Sequence, residues 1–174
     1  MNTTPHPNPS HASGSGREVT RHRFPVGAVL ADRLDDAAVA DAAVRLATAR
    51  GVPLLLIAVL PPSPSGHTAS RPDSAAARAV LGRALPRLAR AGIAHHPAAF
   101  HRPTGRARGR LHAAKALLDS AAAHGCSRLV VSRSGPAELD AHTVMEAAAL
   151  RGTPFVHAAP PVPWVPLAGP HASR

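Results

Sequence analysis

Residues 53–60 read Pro-Leu-Leu-Leu-Ile-Ala-Val-Leu, apolar at every position. A strand with one face in water alternates apolar and polar residues, so an unbroken run of this length is the signature of a strand covered on both faces. Both faces of a sheet around such a strand must be covered, and the flanking sequence supplies the covers. Before and after it the chain repeats one unit: a short apolar run, a turn, an alanine-rich helical stretch ending at glycine, then the next run.

The first run is Val26 to Ala31, and the spacing predicts a helix over about Asp35 to Arg50. Asp35 or Asp36 is suited to its N-cap, and Gly51 to its stop. Val39, Ala43, Leu46 and Ala47 recur on one helical face, which should lie on the sheet. After the central run, residues 61–73 (PPSPSGHTASRPD) read as a loop. A helix follows over about Ser74 to Ala91 with Gly92 as its stop. Pro86 sits inside it and crowds the carbonyl of Gly82, so a kink rather than a break is expected. Ile93 to Phe100 is a weaker strand, placed at an edge by His95, His96 and Pro97. Next come a basic loop from His101 to Arg110, a helix over about Leu111 to His124 ended by Gly125, and a fourth strand, Arg128 to Ser132. The turn Arg133 to Pro136, a helix over about Asp140 to Leu150 stopped by Gly152, and a fifth strand, Pro154 to Ala158, complete the pattern.

Five strands joined through four helical crossovers specify an α/β domain with a mainly parallel, Rossmann-like open sheet carrying helices on both faces. In such sheets ligands bind beyond the carboxyl ends of the strands, where strand order reverses. The rim residues are therefore Asp32, the 61–66 loop, the 101–110 loop and Ser132 to Pro136. The domain is expected over residues 24–160. Residues 1–23, rich in Pro, Ser, Asn and His, cannot bury enough surface to offset ordering entropy and read as a disordered tail. Residues 161–174 read as a proline-rich tail, with Trp164 as an anchor.

At 174 residues the chain is long enough for one domain and too short for two. Of its apolar residues 38 are Ala, and only four residues are aromatic, so the core must be thin and aliphatic. No run approaches the roughly 18 apolar residues of a membrane span. The first 18 residues lack a secretory apolar segment, so a cytoplasmic location is expected. The lone Cys126 excludes internal disulfides and a thiolate zinc site and reads as a small core residue. The charge of +10 invites a nucleic-acid reading, but 19 of the 20 basic residues are Arg, and Ala, Gly, Pro and Arg exceed half the chain. GC-rich coding bias produces that composition without selection for binding. Arg102, Arg106, Arg108 and Arg110 nonetheless cluster at the ligand end. They carry the alternative reading, a basic nucleic-acid-associated protein whose affinity falls steeply with salt.

Catalytic constellations are missing from the pattern. Ser132 and Ser134 lack the glycine two residues upstream that a nucleophile elbow requires. His95 and His96 point to opposite strand faces, and no carboxylate accompanies them and His101 nearby, so no metal site is expected. The expectation is a protein that is not an enzyme.

The succession VGAVLADRLDDAAVADAAVRLATARGVPLLLIAVLPP, then LLDSAAAHGCSRLVVSRSG, then HTVMEAAALRGTPFVHAAP resembles the universal stress protein family over residues 25–160. The resemblance implies strand order 3-2-1-4-5, a homodimer through the fifth-strand edge, limited in length here by Pro160 and Pro161, and a site for ATP, AMP or a related adenine nucleotide between strands 1 and 4. Asp32 matches the family Asp that ends strand 1 and contacts adenosine, although Arg33-Leu34 follows it where the family favours Gly-Ser. Val59 matches the Val that holds adenine through its backbone. The family phosphate loop, G-x-x-G, nine residues, G-[ST], is eroded. Ser132 replaces the first Gly, Gly135 matches the second, His142 replaces the third, Thr143 keeps the hydroxyl, and the spacer has six residues. A phosphate cradle needs successive N–H groups turned to the anion with no Cβ in the way. The pocket of Asp32, Val59, Ser132, Gly135 and Thr143 is thus expected to bind nucleotide weakly or not at all, leaving a stress-response or signalling scaffold.

Overall fold

The computed structural model describes residues 24–63, 69–104, 109–136 and 138–161. Elements in chain order are β1 (Val26–Leu30), α1 (Asp36–Arg50), β2 (Leu54–Leu60), β3 (Ala69–Ser70), α2 (Ala75–Gly82), α3 (Leu85–Ala91), β4 (His95–His101), α4 (His112–Ala123), β5 (Arg128–Val131), α5 (Ala141–Ala149) and β6 (Phe155–Ala158). They form one sheet of order β3-β4-β2-β1-β5-β6. The five strands expected from the sequence are parallel and stand in the order 3-2-1-4-5, with β1 between β2 and β5.

The unbroken apolar run is the middle of this arrangement. Every residue of β2 is buried. Leu54, Leu56, Ala58 and Leu60 pack on one face with residues of α1, α2 and α3. Leu55, Ile57 and Val59 pack on the other with residues of α4 and α5. Burying each Leu or Ile side chain is worth about 1.5–3 kcal/mol, so both helical layers are held chiefly through this strand and its neighbours. Alanines let the layers approach closely: Ala40, Ala43 and Ala47 of α1 and Ala114 and Ala121 of α4 are fully buried. Gly27 serves the same end within the sheet. A Cβ there would stand 2.6 Å from Leu129 Cδ1 and 2.9 Å from Cys126 Sγ.

Two expectations are corrected. The helix over Ser74 to Ala91 is broken into α2 and α3, not kinked, with Arg83 and Ala84 between them and Pro86 in the first turn of α3. Pro86 has no N–H to continue the ladder, and a helix start is the place where that donor is not needed. The 61–73 segment is not all loop: Ala69–Ser70 forms β3, pairing antiparallel with Phe100 and Ala99. β4 is the last parallel strand on that side, but β3 covers part of its edge. The tail expected over 1–23 and, except for Pro161, the tail expected over 161–174 with Trp164 lie outside the described residues, as do Arg106 and Arg108.

Candidate functional site

Strand order reverses at β1, and two loops leave its carboxyl end and that of β5. In the first, the chain turns sharply after β1 because Asp32 adopts φ 57°, a left-handed conformation that Asp tolerates better than most side chains. The loop is then tied by Asp36, a carboxylate only 3% exposed. It accepts N–H groups from Ala31 at 3.1 Å and Arg33 at 3.1 Å. Burial raises the Asp36 carboxyl above its ordinary value, the backbone N–H groups pull it back, and neighbouring Asp35 pushes it up again. Asp35 occupies the N-cap position of α1, yet its side chain makes no cap bond. It points across to the second loop, where Ser132 donates its hydroxyl to Asp35 Oδ2.

The second loop closes on itself. Ser132 Oγ accepts from Ser134 N–H at 3.0 Å, and Ala141 N–H donates to Ser132 O at 3.0 Å. Gly135 is required by a close backbone approach, since a Cβ there would lie 2.7 Å from Leu139 O. Asp140 caps α5, accepting from Thr143 N–H at 3.0 Å and from Thr143 Oγ1 at 2.8 Å. Desolvation pushes the Asp140 carboxyl up, but the two Thr143 bonds, with the backbone N–H groups of Asp140 and His142, outweigh it and the net shift is downward.

Between the loops and the end of β6 lies a cleft of about 260 Å³. Asp35, Ser132, Arg133 and Ser134 form its polar side, and Ala159, Pro160 and Pro161 its apolar side. Among the described residues, the buried Asp35 Oδ1 finds no hydrogen-bond donor. Its nearest cation is Arg33 Nε at 3.6 Å.

Of the residues matched to the family site, Ser132 lines this cleft and Gly135 shapes its loop. Thr143 is 3% exposed, with its hydroxyl and N–H both engaged by Asp140. Asp32 lies apart from the cleft lining, exposed and paired with Arg83 Nη2 at 3.3 Å. Val59 is buried in the core on the α4 and α5 face. The structure therefore does not gather the five around the cleft. It adds Asp35, Pro160 and Pro161, and brings in Arg133 and Ser134 from the rim turn that the strand order had marked; an acidic residue just beyond strand 1 was the signal for Asp35. In the basic loop, Arg102 meets Glu138 at 3.9 Å, and Arg110 makes a bidentate pair with Glu146 at 2.5 and 2.7 Å. Cys126 is buried, its Sγ donating to Arg128 O at 2.8 Å, and burial pushes its thiol up to about 11.

These features define an open, mainly parallel α/β domain with a small mixed-charge cleft at the strand-order reversal. No protein-family model and no curated protein matches the sequence. Solved structures match the fold. A universal stress protein from Archaeoglobus fulgidus aligns at 16% identity with TM-score 0.56, covering 79% of this chain and 94% of that one. A universal stress protein family member from Burkholderia pseudomallei aligns at 20% identity with TM-score 0.54, covering 78% and 95%. An Archaeoglobus fulgidus universal stress protein in complex with dAMP aligns at 18% identity with TM-score 0.55, covering 79% and 98%. The chain has the universal stress protein fold. No described helix is long and apolar enough to cross a membrane.

Proposed function

We propose that this chain is a non-catalytic cytoplasmic scaffold or signalling domain of the universal stress protein type, in which adenine-nucleotide binding at the rim is weak or lost. One observation carries the reading: the Ser132, Ser134 and Thr143 donors of the second loop are consumed within the protein, leaving Arg133 as the cationic side chain of the cleft. Ser134 N–H is spent on Ser132, the Ser132 hydroxyl on Asp35, and the Thr143 N–H and hydroxyl on Asp140. Asp35 also sets a carboxylate in the cleft, where it repels a polyphosphate. The fold supports a nucleotide ancestry, since a protein of the same fold is solved with dAMP. Titration calorimetry with ATP, ADP and AMP tests the site. The expected result is no saturation at about 1 mM nucleotide, and a micromolar Kd for ATP would overturn it.

Pairing through the β6 edge belongs to the same reading. Phe155 N–H donates to Ser127 O at 3.0 Å and Ala159 N–H to Val131 O at 2.8 Å. Strand alternation therefore turns the Val156 and Ala158 N–H groups to the open edge. Val156→Pro removes an outward donor and leaves the β5 ladder intact. In sedimentation equilibrium the parent chain is expected as a dimer and the variant as a folded monomer.

A further inference from the structure

The α1 and α3 side of the domain carries a feature that the rim cleft does not explain. A groove of about 420 Å³ between these helices is lined by Asp41, Val44, Arg45, Arg87, Arg90 and Ala91. A neighbouring cleft of about 310 Å³, beside the β1–α1 loop, is lined by Arg33, Leu34 and Arg83 and again by Arg87. Arg87 belongs to both, so five guanidinium groups border one continuous path. Arg83 closes α2, and Arg87 and Arg90 follow on the same side of α3 at helical spacing.

The carboxylates nearby offset only part of this charge. Arg83 pairs with Asp32 and Arg87 with Asp41, each at 3.3 Å between exposed side chains, and Arg33 with Asp35 at 3.6 Å. Exposed pairs of this kind hold little free energy and exchange partners readily. Among the described residues Arg45 has no ion-pair partner, and Arg90 donates Nε only to Pro86 O at 3.3 Å. Asp36 lines the second cleft, but its carboxylate is turned to the N–H groups of Ala31 and Arg33. Apolar contacts punctuate the path: Val44 and Ala91 in the first groove, and at the far end Leu34, 92% exposed.

We propose that this path is a docking surface for an acidic segment of a partner protein that carries aliphatic residues among its carboxylates. Arginine clusters recognise acidic motifs through forked, charge-assisted hydrogen bonds, and the apolar points fix register. A single-stranded nucleic acid would need stacking surfaces, and among the described residues no aromatic side chain lines either cleft.

Fluorescence anisotropy of the full chain with a labelled peptide of about twelve residues, glutamates with leucine at every third or fourth position, tests the proposal. Micromolar binding is expected near 50 mM salt, weakening about tenfold near 300 mM. The pair Arg45→Glu and Arg87→Glu is expected to weaken binding about tenfold or more, and Leu34→Ser several-fold. Arg78→Glu, on α2 outside both clefts, should leave binding unchanged. Arg45→Glu alone breaks no ion pair, so its effect separates docking from unfolding, which thermal melts check in every variant. No peptide binding, or binding indifferent to the Arg45 and Arg87 reversals, overturns the proposal. So does a single-stranded oligonucleotide of similar length that binds more tightly than the peptide and ignores Leu34.

Discussion

The two loops at the strand-order reversal use the same device to opposite effect. Each enters a helix, and each is organised by an aspartate that collects N–H groups: Asp36 from Ala31 and Arg33, Asp140 from Thr143. Asp36 is buried beside a second carboxylate, and its proton affinity rises. Asp140 is half-buried at a helix start, takes a hydroxyl as well as an N–H, and its proton affinity falls. Depth and neighbours, not residue type, decide which state of the carboxyl the fold prefers. The loops also differ in how they turn. The first depends on the left-handed backbone of Asp32, and the second on the space that Gly135 leaves for the Leu139 carbonyl.

The largest expected effect tests that space. Gly135→Ala should cost about 1–3 kcal/mol, because the clash is with backbone that cannot rotate away. A drop in Tm of several degrees measured by circular dichroism is the expected readout. Gly82→Ala, at the end of α2 with nothing within 4 Å of an added Cβ, should be neutral or mildly stabilising. Equal effects would show that the second loop is as pliable as a helix end.

Next in size is Asp140→Ala, which removes the α5 cap and should cost about 1 kcal/mol in urea unfolding at neutral pH. A cost near zero would mean that Thr143 finds other partners.

The third prediction concerns pH and sharpens the contrast directly. Asp140 has a folded-state pKa below the ordinary carboxyl value of 3.8, so its stabilisation is present above that value and lost as pH falls through the folded pKa. Asp36 has a raised pKa, so the native state holds its proton more tightly. Its contribution is full below 3.8 and is lost as pH rises through the folded pKa. The stability gap between the parent chain and Asp140→Ala should therefore narrow in acid. Relative to Asp36→Asn, the parent should gain stability as pH falls toward 3.8. Denaturant midpoints across pH 3 to 7, a window of about this span around the carboxylate range, read both slopes. Slopes of the same sign would erase the distinction between the loops.

The smallest effect is expected from Arg110→Ala. Its pair with Glu146 is short but exposed, and such pairs contribute about 0–1 kcal/mol. A larger loss would make that ion pair part of how the second loop's helix is held.

Much of the scaffold was legible in particular residues. Gly51, Gly92, Gly125 and Gly152, read as helix stops, all have positive φ, because a left-handed residue ends a helix whatever surrounds it. The continuous run at β2 announced burial on both faces. Pro86 was legible only as a disturbance; whether it bends or divides the helix depends on how α2 and α3 each pack on the sheet. β3 was invisible because two residues carry no periodicity, and their pairing with Ala99 and Phe100 is made across the loop. At the rim, Ser132 and Gly135 were found by position, while Asp35 was read only as a helix cap.

Strand and helix order, the parallel sheet and the glycine stops follow from the chain's own text, because periodicity and backbone preference act over a few neighbouring residues. The rim chemistry does not. The Ser132 hydroxyl meets Asp35 across 97 positions of sequence, and Arg45 and Arg87 come to border one groove only after α1 and α3 pack together. Hydrogen bonds and charge interactions depend on distances that the folded chain alone establishes, so tertiary structure decided which donors remain for a ligand and where the arginines gather.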